Sequence, residues 1–160
     1  GPAQALGRAN ELIITDLRSE LLLTAFYAEL DIETGRLTYA NAGHYWPLWL
    51  HGGTGHLEPL ALPGIILGAL PGIKLEERTI ELAPGDTVVF YTDGITDALA
   101  TNDESFGEDR LQAVVAANRG VSAGEMADAI VRAVQKHAGD IPQYDDLTLV
   151  VLRRSPIPGA

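Results

Sequence analysis

The chain has 160 residues, enough for one domain, and a 46% hydrophobic share that supplies a real core. Twenty-two acids against eleven bases give a net charge of −11, which repels nucleic acid and anionic membrane alike. With no cysteine there is no disulfide framework and no thiolate metal site, so any metal must sit on oxygen or imidazole. The missing cysteines also fit a reducing cytoplasm, the expected location.

No run of 18 or more apolar residues escapes a charge or a Gly/Pro break, so no membrane span is expected, and no signal-peptide pattern opens the chain. Gly1-Pro2 reads as the scar of tag cleavage and is set aside. From Ala3 to Ser19, Leu6, Ala9, Ile13 and Leu17 recur at helical spacing, with Asn10, Glu11, Asp16 and Arg18 as the polar complement. Leu21 to Leu30 reads as a strand, Asp31 to Arg36 as a Gly-containing turn, and Arg36 to Asn41 as the return strand of a hairpin.

A second hairpin pairs Trp46–His51 with His56–Leu62 across Gly52-Gly53-Thr54-Gly55. Pro63 to Gly72 is apolar but holds too many breakers for a helix and reads as a buried loop. Lys74 to Leu82 alternates charged and apolar residues, the pattern of a strand with one wet face. After the turn Pro84-Gly85-Asp86, Thr87 to Tyr91 is an apolar, β-branched and aromatic run, hence a central strand.

Phe106–Asn118 and Ser122–His137 read as helices, the first closed by Gly120 and the second opened by the capping box Ser122/Glu125. Leu147 to Leu152 is a last strand, and the residues from 155 to 160 form a tail. Strands fill the middle and two adjacent helices precede the last strand, without βαβ alternation. The expected fold class is therefore α+β, an antiparallel β-sandwich flanked by helices.

Three segments carry candidate chemistry. In Tyr91-Thr92-Asp93-Gly94 a buried strand runs straight into an acid, whose carboxylate the strand end holds firmly, and the Gly that follows lets the backbone turn sharply while leaving room beside the acid. Alone, such an Asp-Gly is far more often a turn. Asp145-Asp146-Leu147-Thr148 opens the last strand with two acids whose side chains point to opposite faces, so only one of them can face Asp93. Hard divalent cations take oxygen ligands of this kind, with waters completing the shell, although acids that open a strand are commonly just solvated. In Asn41-Ala42-Gly43-His44 the imidazole suits a metal, a proton or an anion, but a lone His in a strand turn is more often a hydrogen-bonded structural residue. No Ser-His-Asp order, P-loop or dinucleotide fingerprint is present, and no side chain is assigned a catalytic role of its own.

Taken in order, Thr24-Ala25-Phe26-Tyr27, Leu30-Asp31 through Thr34-Gly35, Tyr39 to His44, Leu67-Gly68, Leu82 to Asp86, Tyr91 to Gly94, Phe106-Gly107 and Asp145 to Thr148 resemble the SpoIIE-like branch of the PPM metal-dependent serine/threonine phosphatases. The resemblance runs from about Ala3 to Arg153, and the domain is placed at residues 3–154. It implies a sandwich with a binuclear Mn²⁺ or Mg²⁺ centre, with Asp93 and Asp145 as metal ligands. Gly94 and Asp146 would support that site, and Asn41, Gly43 and His44 would be structural or adjacent to it. It also implies a phosphorylated protein substrate of the anti-sigma-factor antagonist type.

The same resemblance implies two earlier strands bearing further metal-binding acids, including a bridging carboxylate, and nothing before Ala3 matches them; Glu11 and Asp16 lie in a helix and cannot stand in. The expected reading is thus the C-terminal portion of such a domain, with an incomplete metal site, weak or no activity, and a tendency to form a homodimer through uncovered sheet. A non-catalytic signalling or binding module of the same fold is the alternative.

Overall fold

The protein is described from a computed structural model covering residues 1–16, 21–142 and 145–155; the expected continuation of the first helix to Ser19 and the tail from Pro156 onward lie outside these residues. The chain divides into two compact units, one of residues 1–46 and 61–82, the other of 47–60 and 83–160. Among the described residues each holds one antiparallel sheet, with one helix in the first unit and three in the second, which makes the class α+β as expected.

In the first unit, helix α1 (Pro2–Asp16) packs on strands β1 (Ala25–Leu30) and β2 (Arg36–Ala42). The helix begins at Pro2, a residue set aside in the sequence reading. Proline suits the first helical position because its missing N–H would have had no partner there. The expected β1–β2 hairpin forms, with Ala25 opposite Ala42 and Leu30 opposite Leu37. Asp31 closes it by accepting from the amides of Glu33 and Thr34 at 2.9 and 3.2 Å, and these donors hold its carboxyl below the usual carboxylate range.

The strand is shorter than its apolar run, however: before Ala25 only Leu23 pairs, in an isolated bridge with Leu67. The third strand of this sheet is β5 in chain order (Arg78–Glu81), shorter than the expected segment Lys74–Leu82, and the sheet order is β1-β2-β5. Lys74 to Glu77 stay out of the ladder, and the Glu77 carboxylate instead accepts from the Ala3 amide at the start of α1 (3.1 Å). Against α1 this unit buries Leu6, Ala40, Ala42 and Leu67, with Ala3, Ala9 and Ile13 packed on them, and elsewhere in the unit Leu37, Tyr39, Leu62 and Leu82 are buried.

The second unit carries strands β3 (Leu48–Leu50), β4 (Leu57–Pro59), β6 (Thr87–Tyr91) and β7 (Leu149–Arg153) in the order β4-β3-β6-β7. The predicted Gly-rich hairpin is β3–β4, and β6 spans the residues expected of a central strand. Helix α3 (Gly107–Ala117) and helix α4 (Ala123–Ala138) pack on each other, α3 also on β3 and α4 on β7. Met126, Ile130 and Val134 recur every four residues along α4 and are all buried against Leu48, Leu50, Val89 and Tyr91. Burying side chains of this size stabilises by about 1.5–3 kcal/mol each.

Among the described residues no helix is long and apolar enough to cross a membrane.

Candidate metal centre

Strands β6 and β7 pair from Thr87–Arg153 to Tyr91–Leu149, so the chain leaves β6 and enters β7 at the same end of the sheet. Asp93 lies two residues past Tyr91, and Asp145 four residues before Leu149. The two acids predicted as metal ligands therefore come from adjoining loops of one unit.

Local bonds hold these loops together. The Thr92 amide donates to the Thr148 carbonyl (3.2 Å) and the Thr148 amide to Thr92 Oγ1 (3.3 Å). Thr92 Oγ1 in turn donates to the Asp146 carbonyl (3.4 Å). Thr92, read from sequence as an ordinary strand residue, is thus the stitch between the Asp-Gly and Asp-Asp segments.

The role of Gly94 also differs from the expected sharp turn. Its φ is not positive; Asp93 opens a single helical turn, α2 (Asp93–Thr96), and Gly94 is buried inside it. A Cβ at this position would be driven into the Asp146 carbonyl oxygen, so glycine is needed for close approach of the second acidic segment.

Each carboxylate is partly oriented by its own chain: Asp93 Oδ1 accepts from the Gly94 amide (3.0 Å) and Asp145 Oδ1 from the Asp146 amide (2.8 Å). The Asp97 amide and the Thr96 hydroxyl donate to the Asp93 carbonyl and fix the turn from behind. Asp93, Asp145 and Asp146 are all exposed. In type these groups suit a hard cation held largely through water. In number they fall short of a binuclear centre, because among the described residues no three His, Asp or Glu side chains converge on a common point.

The Asn41-Gly43-His44 segment belongs to the other unit. Asn41 is buried and uses its whole amide: Nδ2 donates to the carbonyls of Leu62 (2.8 Å) and His44 (3.1 Å), and Oδ1 accepts from the His44 amide (2.8 Å). Gly43 sits at φ +75°, a conformation that favours glycine, with a Cβ position only 3.3 Å from the Ile66 nitrogen. His44 Nδ1 lies 3.2 Å from Thr24 Oγ1. These contacts close the turn after β2.

Two polar residues were misjudged in the sequence. Asp86, read as a turn residue, is buried and accepts three hydrogen bonds, from Trp49 Nε1 (3.0 Å) and the amides of Gly52 (2.8 Å) and Ala83 (2.9 Å). Asn10, read as part of the wet face of α1, is fully buried. It donates to the Leu70 carbonyl (2.9 Å) and accepts from the Gly68 amide (2.9 Å). An Asn among charged residues at helical spacing was the only signal, and it pointed to solvent.

Residues 1–155 match the family described as Stage II sporulation protein E (SpoIIE). The chain is 31% identical over 152 residues to Protein IcfG of Synechocystis sp. and 29% identical over 153 residues to the phosphoserine phosphatase RsbU of Bacillus subtilis. These matches cover 94% and 96% of this chain but 24% and 45% of those proteins, so the chain spans less than half the length of either relative. Among solved structures, the SiaA-PP2C domain of Pseudomonas aeruginosa superposes with a TM-score of 0.82 at 23% identity, over 95% of this chain and 60% of that one. The catalytic domain of the phosphatase PstP, solved with two manganese ions, gives 0.61 at 14% identity, over 91% and 65%. The fold is that of the PP2C-type domains, and the chain belongs to the SpoIIE family, in its RsbU/SpoIIE-like bacterial branch.

Proposed function

We propose that the protein to which this chain belongs removes phosphate from phosphoserine or phosphothreonine in a bacterial signalling protein, with Asp93 and Asp145 as metal ligands. The observation that carries this reading is the close approach of Gly94 to Asp146, stitched by Thr92, which sets two acids distant in sequence at one end of a rigid strand pair. Asp146 and Gly94 act as support: the Asp146 amide orients Asp145, and Gly94 admits the segment. A bound Mn²⁺ or Mg²⁺ pair would supply an activated water and offset the phosphate charge. Without cations a chain of net charge −11 opposes such a substrate.

The substrate class proposed is a phosphorylated anti-sigma-factor antagonist, by likeness to the family and to RsbU. This chain supplies two of the ligands and is by itself weakly active or inactive. That reading is supported by the lack of a third converging acid among the described residues. The same lack favours a second reading, a non-catalytic module of the same fold.

Self-association is proposed as well. Strands β1 and β7 lie at sheet edges and expose Tyr27 (41%) and Val150 (56%), and a two-fold contact is the simplest way to cover such an edge.

The test is calorimetric titration with Mn²⁺ alongside phosphate release from a phosphoserine protein. Binding that is lost in both Asp93→Asn and Asp145→Asn, with slow hydrolysis by this chain, is expected. Hydrolysis unchanged by Asp93→Asn would remove Asp93 from the site, and brisk turnover by this chain alone would end the claim of an incomplete centre. Light scattering at rising concentration checks the dimer, which a constant monomer mass would exclude.

A further inference from the structure

The segment that presents Asp145 also forms one wall of a cavity of about 290 Å³ within the second unit. Its body is apolar: Leu99, Val134, Ala138, Ile141, Pro142 and Leu147 face into it, from the end of α4, the turn after α2 and the approach to β7. Asp97 and Asp145 are its acidic lining residues. Gly94 and Asp145 therefore belong both to this cavity and to the candidate metal centre. A concave apolar surface with a few polar groups at its edge is the usual form of a ligand site, and such sites begin at about 300 Å³. Val134, Ala98 and Leu147 join the cavity to the core of the unit, whereas Leu99, Ala138, Ile141 and Pro142 lie outside that core cluster.

We propose that this cavity receives an uncharged apolar side chain of the substrate protein, one residue or two from the phosphorylated serine, and so makes the site selective for sequence. The proposal rests on the phosphatase reading above. A phosphoserine seated against Asp93 and Asp145 places its chain neighbours about 4–7 Å away along the backbone. That is within side-chain reach of a cavity whose wall includes Asp145 itself. Two carboxylates in the lining, on a chain of net charge −11, disfavour an anionic occupant, and the apolar body of the cavity, which would strip water from an ammonium or guanidinium group, favours a neutral aliphatic or aromatic side chain over a basic one. A cavity of this size takes a single large side chain.

The experiment uses methyl-labelled protein in Mg²⁺, which is diamagnetic and leaves the methyl resonances observable, and four short peptides, with Leu or Ala beside a serine that is either phosphorylated or not. The Leu phosphopeptide is expected to bind about ten-fold more tightly than its Ala counterpart. It should shift the methyl resonances of Leu99, Val134, Ile141 and Leu147. Ala138→Phe, which fills the cavity from α4, should abolish the Leu preference while leaving Mn²⁺ binding intact. Leu99→Ala, which enlarges the cavity, should move the preference from Leu toward Phe and keeps the test open should the filled variant fold poorly. Equal affinity for Leu and Ala peptides, or no binding of any peptide at millimolar concentration, overturns the proposal. A Leu preference of the same size with unphosphorylated serine supports the cavity as a side-chain site and removes the phosphatase reading instead. Binding of leucinamide as tight as that of the Leu peptide assigns the cavity to a free small molecule and overturns the proposal.

Discussion

The two units solve the same problem, holding an antiparallel sheet against helices, with different materials. The first packs α1 through Leu6, Ala40, Ala42 and Leu67, a seam whose two alanines let the backbones approach. Its loops are placed by side-chain amides: Asn10 and Asn41 each bind loop backbone on both the donor and the acceptor side. The second unit packs eleven buried apolar residues, Leu111, Met126 and Ile130 among them, and its buried polar anchor is a carboxylate, Asp86. Where loops rest on side-chain amides, their placement depends on hydrogen bonds that work only in one geometry. Where they flank a large buried apolar cluster, exposed loops can carry acids such as Asp93 and Asp145 without loss of the scaffold.

The sharpest way to break this contrast is to delete the anchor of each unit. Asp86→Ala leaves the Trp49 indole and two backbone amides without their acceptor and is expected to cost about 4 kcal/mol, read from urea unfolding at constant slope. Asn41→Ala removes three bonds made by a neutral amide and should cost about 3 kcal/mol. Its effect should also be local: hydrogen exchange at His44 should accelerate far more than at Val88 or Val89. Uniform acceleration in both variants would mean that the units do not differ in the way described.

Much of this architecture was legible in the sequence, because hairpins, the central strand and the capping box are set by local pattern. Gly35 and Gly-rich 52–55 mark the two hairpins, and Ser122/Glu125 marks the start of α4. What was not legible depends on contacts between distant residues. Asn10 has the periodicity of a solvated position, and only its partners Gly68 and Leu70, some sixty residues away, turn it inward. Glu77 fits an alternating strand until the N-terminus of α1 offers it an amide. Asp93 and Asp145 were marked by a family pattern, whereas Thr92, which binds their loops together, looks like any β-branched strand residue.

A second comparison uses one glycine from each unit. Gly64 lies so close to the Asn41 carbonyl, and Gly94 to the Asp146 carbonyl, that a methyl group at either position overlaps backbone. Gly64→Ala has the tighter clash and should cost about 3 kcal/mol; Gly94→Ala should cost about 2 kcal/mol, since the exposed Asp145-Asp146 segment can move aside. In melting temperature these correspond to several degrees for a chain of this length. The relief that makes Gly94→Ala milder should damage the centre: Mn²⁺ binding should weaken with Gly94→Ala and persist with Gly64→Ala. The opposite pattern would detach the Asp-Gly segment from the metal reading.

The smallest expected effect concerns the cap of α4. Ser122 accepts from the Glu125 amide (3.2 Å), and the Glu125 carboxylate accepts from the Ser122 amide (2.8 Å) and hydroxyl (2.7 Å). These bonds hold the Glu125 carboxyl below its ordinary value of 4.5, the backbone donor contributing most. A carboxylate with a lowered folded-state pKa binds protons less readily when folded than when unfolded. Its stabilising contribution is therefore complete above the ordinary glutamate range and is lost as pH falls through 4.5 toward the depressed folded value. Ser122→Ala removes the hydroxyl from both roles and should cost about 1 kcal/mol at neutral pH. Its penalty should shrink as the pH is lowered, because the wild-type cap is then losing its carboxylate partner as well. Glu125→Gln, which keeps an acceptor but cannot titrate, should flatten that part of the pH profile. Melting curves between pH 3 and 7 for the three proteins check this, and a Ser122→Ala penalty that stays constant across the range would show that the cap acts through the hydroxyl alone.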